Sequence, residues 1–117
     1  MGLIGDYKNS VKVPFSAEDT FDALKKCIHK LPSIKLDSIN ELTKTVHLKS
    51  SMRMLSWGEN ITVTVQETAD GMSEIHALST AKTGISLKSS NRRVIDEIMS
   101  VLAGELKNYP KIHAANR

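Results

Sequence analysis

Ser56-Trp57-Gly58-Glu59-Asn60 runs directly into Ile61-Thr62-Val63-Thr64-Val65-Gln66, and this stretch decides the fold. A single tryptophan stands at a glycine turn, and a strand of strict apolar and polar alternation follows. Alternation with a period of two places Ile61, Val63 and Val65 on one face and Thr62, Thr64 and Gln66 on the other. That is the pattern of an antiparallel sheet with one face on a core and one toward water. The pattern carries no chemistry of its own.

Working outward, Ala69-Asp70-Gly71 is a hairpin signal, and Ser73 to Lys82 returns as the next strand. Its phase stays open: Ile75 and Ala77 share one parity, His76 and Leu78 the other. On the other side, Thr43 to about Met54 reads as a strand with Val46, Leu48, Met52 and Met54 in phase. Asn40-Glu41 can turn the chain, and Ser33 to Ile39 reads as a strand before it. Further back, Tyr7 to Phe15 reads as a short strand in which Pro14, unable to donate to a ladder, implies a sheet edge or the end of the strand.

Two helices complete the pattern. Ser16-Ala17-Glu18-Asp19 has capping-box spacing, with acids at the positive end of the helix dipole. Phe21, Leu24, Ile28 and Leu31 then form one stripe to about Leu31, where Pro32 stops the helix. Ser89, Ser90 or Asn91 can cap a second helix running to about Leu106. Its stripe of Val94, Ile95, Ile98, Val101, Leu102 and Leu106 is the wider one, so this helix is expected to lie across the sheet as the main lid. The order is β-α-β-β-β-β-α, a two-layer α+β domain with about five antiparallel strands and both helices on one face. Residues 1–110 form the single domain, and 111–117 read as a frayed tail.

The sequence is 117 residues long, 40% hydrophobic and 25% charged, which suits one globular domain. No apolar run reaches the length of a bilayer span. The N-terminal residues lack the basic and apolar regions of a secretory signal. Gly2 suggests myristoylation, but Asp6 stands where that motif takes Ser or Thr. One cysteine, Cys27, excludes an internal disulfide and points to a cytoplasmic protein. A net charge of +3 with 4% aromatic residues is weak for a nucleic-acid binder.

The Val13-to-Ser16 step, the Ser56-to-Glu59 turn and the Asn91-to-Arg93 helix entry resemble a group of small, functionally uncharacterised bacterial proteins. The element order is similar to the TATA-binding-protein-like and helix-grip folds. The resemblance implies a fold and no activity, since such folds host lipid carriers, nucleic-acid saddles and interaction modules alike.

Candidate sites stand beside structural alternatives. Trp57 and Glu59 could face a ligand together with Met52 and Met54. The competing reading has the indole plug one end of the core while Glu59 meets a turn or a lysine. Lys82, Lys88, Arg92 and Arg93 form a run of cations with no acid until Asp96. With Ser89 and Ser90 and free amides at the helix start, they could hold a phosphate or carboxylate. The competing reading is a solvated basic loop with surface ion pairs. No metal site is expected, because His29, His47, His76 and His113 show no ligand spacing. Cys27 sits on the first helix stripe as a small hydrophobe. There is no nucleophile elbow, P-loop or dinucleotide fingerprint, hence no catalytic residue and no cofactor.

The reading favours a non-enzymatic module acting by self-association or protein association, as a homo-oligomer through the sheet face or an edge. The first alternative is a helix-grip binder of a small hydrophobic or anionic ligand, its pocket lined by Met52, Met54, Trp57, Val94 and Ile98. The second is a weak binder of nucleic acid or an anionic surface.

Overall fold

A computed structural model describes residues 7–32, 34–50, 59–81 and 88–112. The order is β1 (Tyr7–Val13), α1 (Ala17–Ile28), β2 (Ile34–Asn40), β3 (Thr45–Ser50), β4 (Glu59–Glu67), β5 (Ser73–Ala81) and α2 (Lys88–Leu106). The strands form one antiparallel sheet in the order β1-β5-β4-β3-β2. The meander of β2 to β5 is extended by β1, which pairs beside β5 and forms an edge; it ends at Val13 rather than Phe15, just before Pro14, which cannot donate to a ladder.

The alternation in β4 does what its period dictates. Ile61, Val63 and Val65 are buried on the helix side, in one cluster with Phe21, Leu24, Ile98 and Leu102. The register resolves the open phase of β5. Val63 pairs with Ala77 and Val65 with Ile75, so Ile75 and Ala77 face inward and His76 and Leu78 outward. Polar side chains at the two ends of this inner row are accommodated by hydrogen bonds. Ser73 Oγ donates to the Phe15 carbonyl at 2.8 Å and lies 2.8 Å from the Thr20 hydroxyl, which ties β5 to β1 and α1.

The helices divide the inner face between them. α1 packs on β4, β5 and β2, whereas α2 packs on β5, β1 and α1. α2 covers the β5–β1 side of the sheet and α1 the rest, and the stripe of α2 is wide because it covers a half-sheet and a neighbouring helix together.

Local boundaries follow local chemistry. The Ser16 side chain accepts from the Asp19 amide at 3.1 Å, the N-cap bond its position implies. α1 ends at Ile28 rather than Leu31. The last residues tighten into bonds three apart, Lys30 to Cys27 and Leu31 to Ile28, because the residue before Pro32 disfavours helix. Asn40 Oδ1 accepts from the Leu42 and Thr43 amides, which delays β3 to Thr45 and places Lys44 at φ 51°. Gly71, at φ 83°, supplies the left-handed position of the β4–β5 hairpin.

Both sheet edges carry features that discourage edge pairing. On β1, Lys8 and Lys12 stand exposed on the outer face. On β2, the register shifts between Leu36 and Ser38, making Asp37 a bulge. No helix among the described residues is long and apolar enough to cross a membrane.

Candidate functional site

The parity of β1 puts Val11 opposite Ile75 and Val13 opposite Ser73, so both valines face the helix side. On α2, Met99, Leu102, Ala103 and Leu106 recur at offsets of three, four and seven, one face of a helix. β1 is an edge with no helix beyond it, and the two rows do not close fully. Between them lies a cleft of about 150 Å³, lined by Val11, Val13, Phe15, Ile75, Met99, Leu102, Ala103 and Leu106. Ile75 and Leu102 form its buried floor, while Val11, 37% exposed, and Ala103 stand at the mouth. Every side chain lining it is apolar.

Polar clasps hold the C-terminal half of α2 in place beside the cleft. Lys30 Nζ donates to Glu105 Oε1 at 2.6 Å, and the Asn108 side chain approaches Glu105 Oε2 at 3.5 Å. The bond to Lys30 holds the Glu105 carboxyl below its ordinary value against the opposing effect of burial. Beyond the helix, the Tyr109 hydroxyl donates to Asp22 Oδ2 at 2.6 Å, and that bond, with Lys26 at 3.4 Å, lowers the Asp22 carboxyl. The Lys26 ammonium also lies 5.3 Å from the Tyr109 ring centre. The Ile112 amide donates to the Pro14 carbonyl at 2.7 Å, so the chain stays attached to the end of β1 as far as 112. Cys27 is fully buried in the interface of the two helices. Desolvation, with a smaller contribution from Glu105, pushes its thiol up to about 12, which keeps it protonated and unreactive.

The sites expected from sequence are distributed differently. Met52, Met54, Trp57 and Lys82 lie outside the described residues. Glu59 opens β4 with its backbone opposite Ala81. Val94 and Ile98, expected to line a pocket with the methionines and Trp57, are fully buried in the core cluster. The apolar cleft lies toward the other end of α2. Lys88, Ser89 and Ser90 are the first three residues of α2, so Ser89, Ser90 and Asn91 lie inside the helix and do not cap it. Arg92 and Arg93 thereby move from the first turn to the second, away from the free amides of the helix start. Arg92 Nε lies 3.5 Å from Asp96 Oδ2, an ion pair one turn along its own helix, and Arg93 is exposed.

Sequence reasoning missed the cleft because Val11 and Met99 belong to elements far apart in the chain. The available signal was the spacing from Met99 to Leu106, whose face is offset from the main stripe. Two further hollows are open to solvent. One of about 520 Å³ lies between the start of α1 and the β2–β3 turn, and its walls mix Glu18, Lys44 and Glu67 with Leu42. Another of about 340 Å³ lies on the outer sheet face over Leu78. Among the described residues no group of three or more His, Cys, Asp or Glu side chains is placed to hold a metal.

No protein-family model matches the chain, and no curated protein matches it either. Solved structures do. The fold is similar to that of Ara h 8.0201, at 14% identity and a TM-score of 0.67 over 91% of this chain and 99% of that one. It is similar to a protein from Nitrosospira multiformis, at 9% identity and a TM-score of 0.65 over 86% and 94% of the two chains. It also resembles about half of the di-domain ARO/CYC BexL from the BE-7585A biosynthetic pathway. There the identity is 11% and the TM-score 0.63, over 90% of this chain and 48% of that one. At these identities the likeness concerns the fold alone, and that fold is helix-grip-like.

Proposed function

We propose that the protein is a non-catalytic binding domain that takes one small apolar molecule into the cleft between β1 and α2. The observation that carries this reading is the cleft itself: concave, apolar on every side and open at the sheet edge. A dry cavity of about 150 Å³ lined by aliphatic groups can hold a benzene-sized ligand. Fold likeness to helix-grip-like proteins supports the reading, since in this architecture the last helix and the sheet enclose the space between them.

The ligand chemistry follows from the lining. With no donor, acceptor or charge among these side chains, binding rests on area removed from water, worth about 25 cal/mol per Å². A small aromatic of one or two fused rings or a short branched hydrocarbon fits, and an ionised molecule does not. The same absence of a titratable side chain supports a carrier or sensor role over catalysis, because proton transfer needs a group within reach of the bound molecule.

Thermal unfolding with benzene, indole and benzoate tests this reading. Benzene and indole are expected to raise Tm in proportion to occupancy, and benzoate is not. Ala103→Phe, which lays a ring over the mouth from an exposed helix position, should retain the fold and lose the ligand-induced shift. Equal shifts in wild type and Ala103→Phe would refute the site.

A further inference from the structure

We infer that residues 107–112, which follow α2, form a strap that sets the width of the apolar cleft and so the largest ligand it accepts. The inference rests on the reading of that cleft as a ligand site. The strap leaves α2 at Leu106, on one wall. It ends at Ile112, whose amide donates to the Pro14 carbonyl at 2.7 Å. Pro14 stands between Val13 and Phe15, both on the opposite wall. A short run of chain thus joins the helix wall to the edge-strand wall.

Local chemistry fixes the course of the strap. The amides of Lys107, Asn108 and Tyr109 bond to the carbonyls three residues back, which tightens the last turn of the helix. Pro110 has no amide to continue that pattern, so the chain leaves the helix there and crosses toward β1. Tyr109 packs against the core cluster and donates to Asp22 Oδ2 on α1 at 2.6 Å. Lys26 Nζ lies 3.4 Å from the same oxygen.

The anchors differ in strength. Toward α1, the end of α2 and the strap are held by charge-assisted bonds, Lys30 to Glu105 and Tyr109 to Asp22. Toward the sheet, the β1–β5 ladder runs to Val13, and Ser73 Oγ holds the Phe15 carbonyl. Among the described residues one hydrogen bond crosses directly between these two halves, Ile112 to Pro14, and it is a neutral amide bond. The walls otherwise meet through apolar contacts, which have no preferred direction. The backbone bond therefore specifies their separation. A ligand too large for about 150 Å³ must part the walls, and this bond is the one that yields. Its apparent affinity is reduced by the small fraction of molecules with the strap released.

Fluorescence titration of the full chain with N-phenyl-1-naphthylamine, an uncharged three-ring probe, tests the strap, with indole binding followed in parallel by thermal shift. Ile112→Pro removes the amide donor at a position outside every helix and strand, and Ile112→Ala keeps the donor while shortening the side chain. Ile112→Pro is expected to bind the probe at least about tenfold more tightly than wild type or Ile112→Ala, with unchanged circular dichroism. Saturating indole should displace the bound probe. Tyr109→Phe, which frees the strap from α1, should shift probe binding in the same direction. Indole binding by wild type with no gain of probe binding in Ile112→Pro or Tyr109→Phe would overturn the strap and leave the cleft reading standing. So would a gain that Ile112→Ala matches, or bound probe that indole does not displace. Failure of all these proteins to bind indole would overturn the cleft reading, and this inference with it.

Discussion

The two faces of β4 and β5 are built from neighbouring residues and behave oppositely. Inward, Ile61, Val63, Val65, Ile75 and Ala77 touch helices and lose nearly all contact with water. Outward, Thr62, Thr64, His76 and Leu78 stay partly exposed, and the three polar ones pair across strands with His47, Thr45 and Ser10. The inner face derives its stability from packing, which is unforgiving of lost volume. The outer face rests on short-range polar pairs that water can replace. The two behaviours are thus separated by one residue of register, and a slip of one position would exchange them.

The contrast is sharpest under truncation. Leu102→Ala, which empties the cluster facing β5 and β1, should cost about 2–5 kcal/mol in chemical denaturation. A loss under 1 kcal/mol by the same measurement would mean that α2 does not pack as described. Thr20→Val removes a buried hydroxyl partner of Ser73, where inner polarity is concentrated. It should cost about 1–3 kcal/mol, because Ser73 then keeps only its bond to Phe15. Ser16→Ala, at the α1 cap, should cost about 1 kcal/mol. On the outer face, Thr64→Ala should cost no more than about 1 kcal/mol, because a cross-strand pair is all it removes. An outer substitution as costly as Leu102→Ala would erase the distinction between the faces.

The smallest effect concerns acid. Asp70 accepts from the Thr68 hydroxyl, from Lys12 and from the Met72 amide, and these hold its carboxyl well below the ordinary value of 3.8. A depressed folded-state value contributes stability that is fully present above the unfolded value and is lost as pH falls below it. The carboxylate is solvent-exposed, so the contribution is modest. Asp70→Asn should therefore flatten the decline of Tm between pH 5 and pH 2 slightly, leaving the neutral-pH fold intact. A steeper acid decline in the variant would contradict the sign.

Most of the architecture was legible because it is periodic. Alternation in β4 fixed both faces, and Pro14 marked where β1 stops. Gly71 and Ser16 marked a hairpin and a cap through backbone geometry that few residues satisfy. The start of α2 was misread because Ser89, Ser90 and Asn91 are good caps by type, yet the helix extends back to Lys88 and leaves them inside. The site was harder to see for a different reason. A cleft is a failure of two surfaces to close, and Val11 with Met99 forms one through tertiary placement that no local pattern encodes.

Methyl-resolved NMR of the uniformly labelled chain during titration with indole tests the central claim most directly. Saturable shifts confined to Val11, Val13, Ile75, Met99, Leu102 and Leu106, with Val46 and Leu48 unmoved, are the expected result. Shifts centred on the outer-face Leu78 methyls, or none at millimolar indole, would contradict a binding site between the edge strand and the last helix.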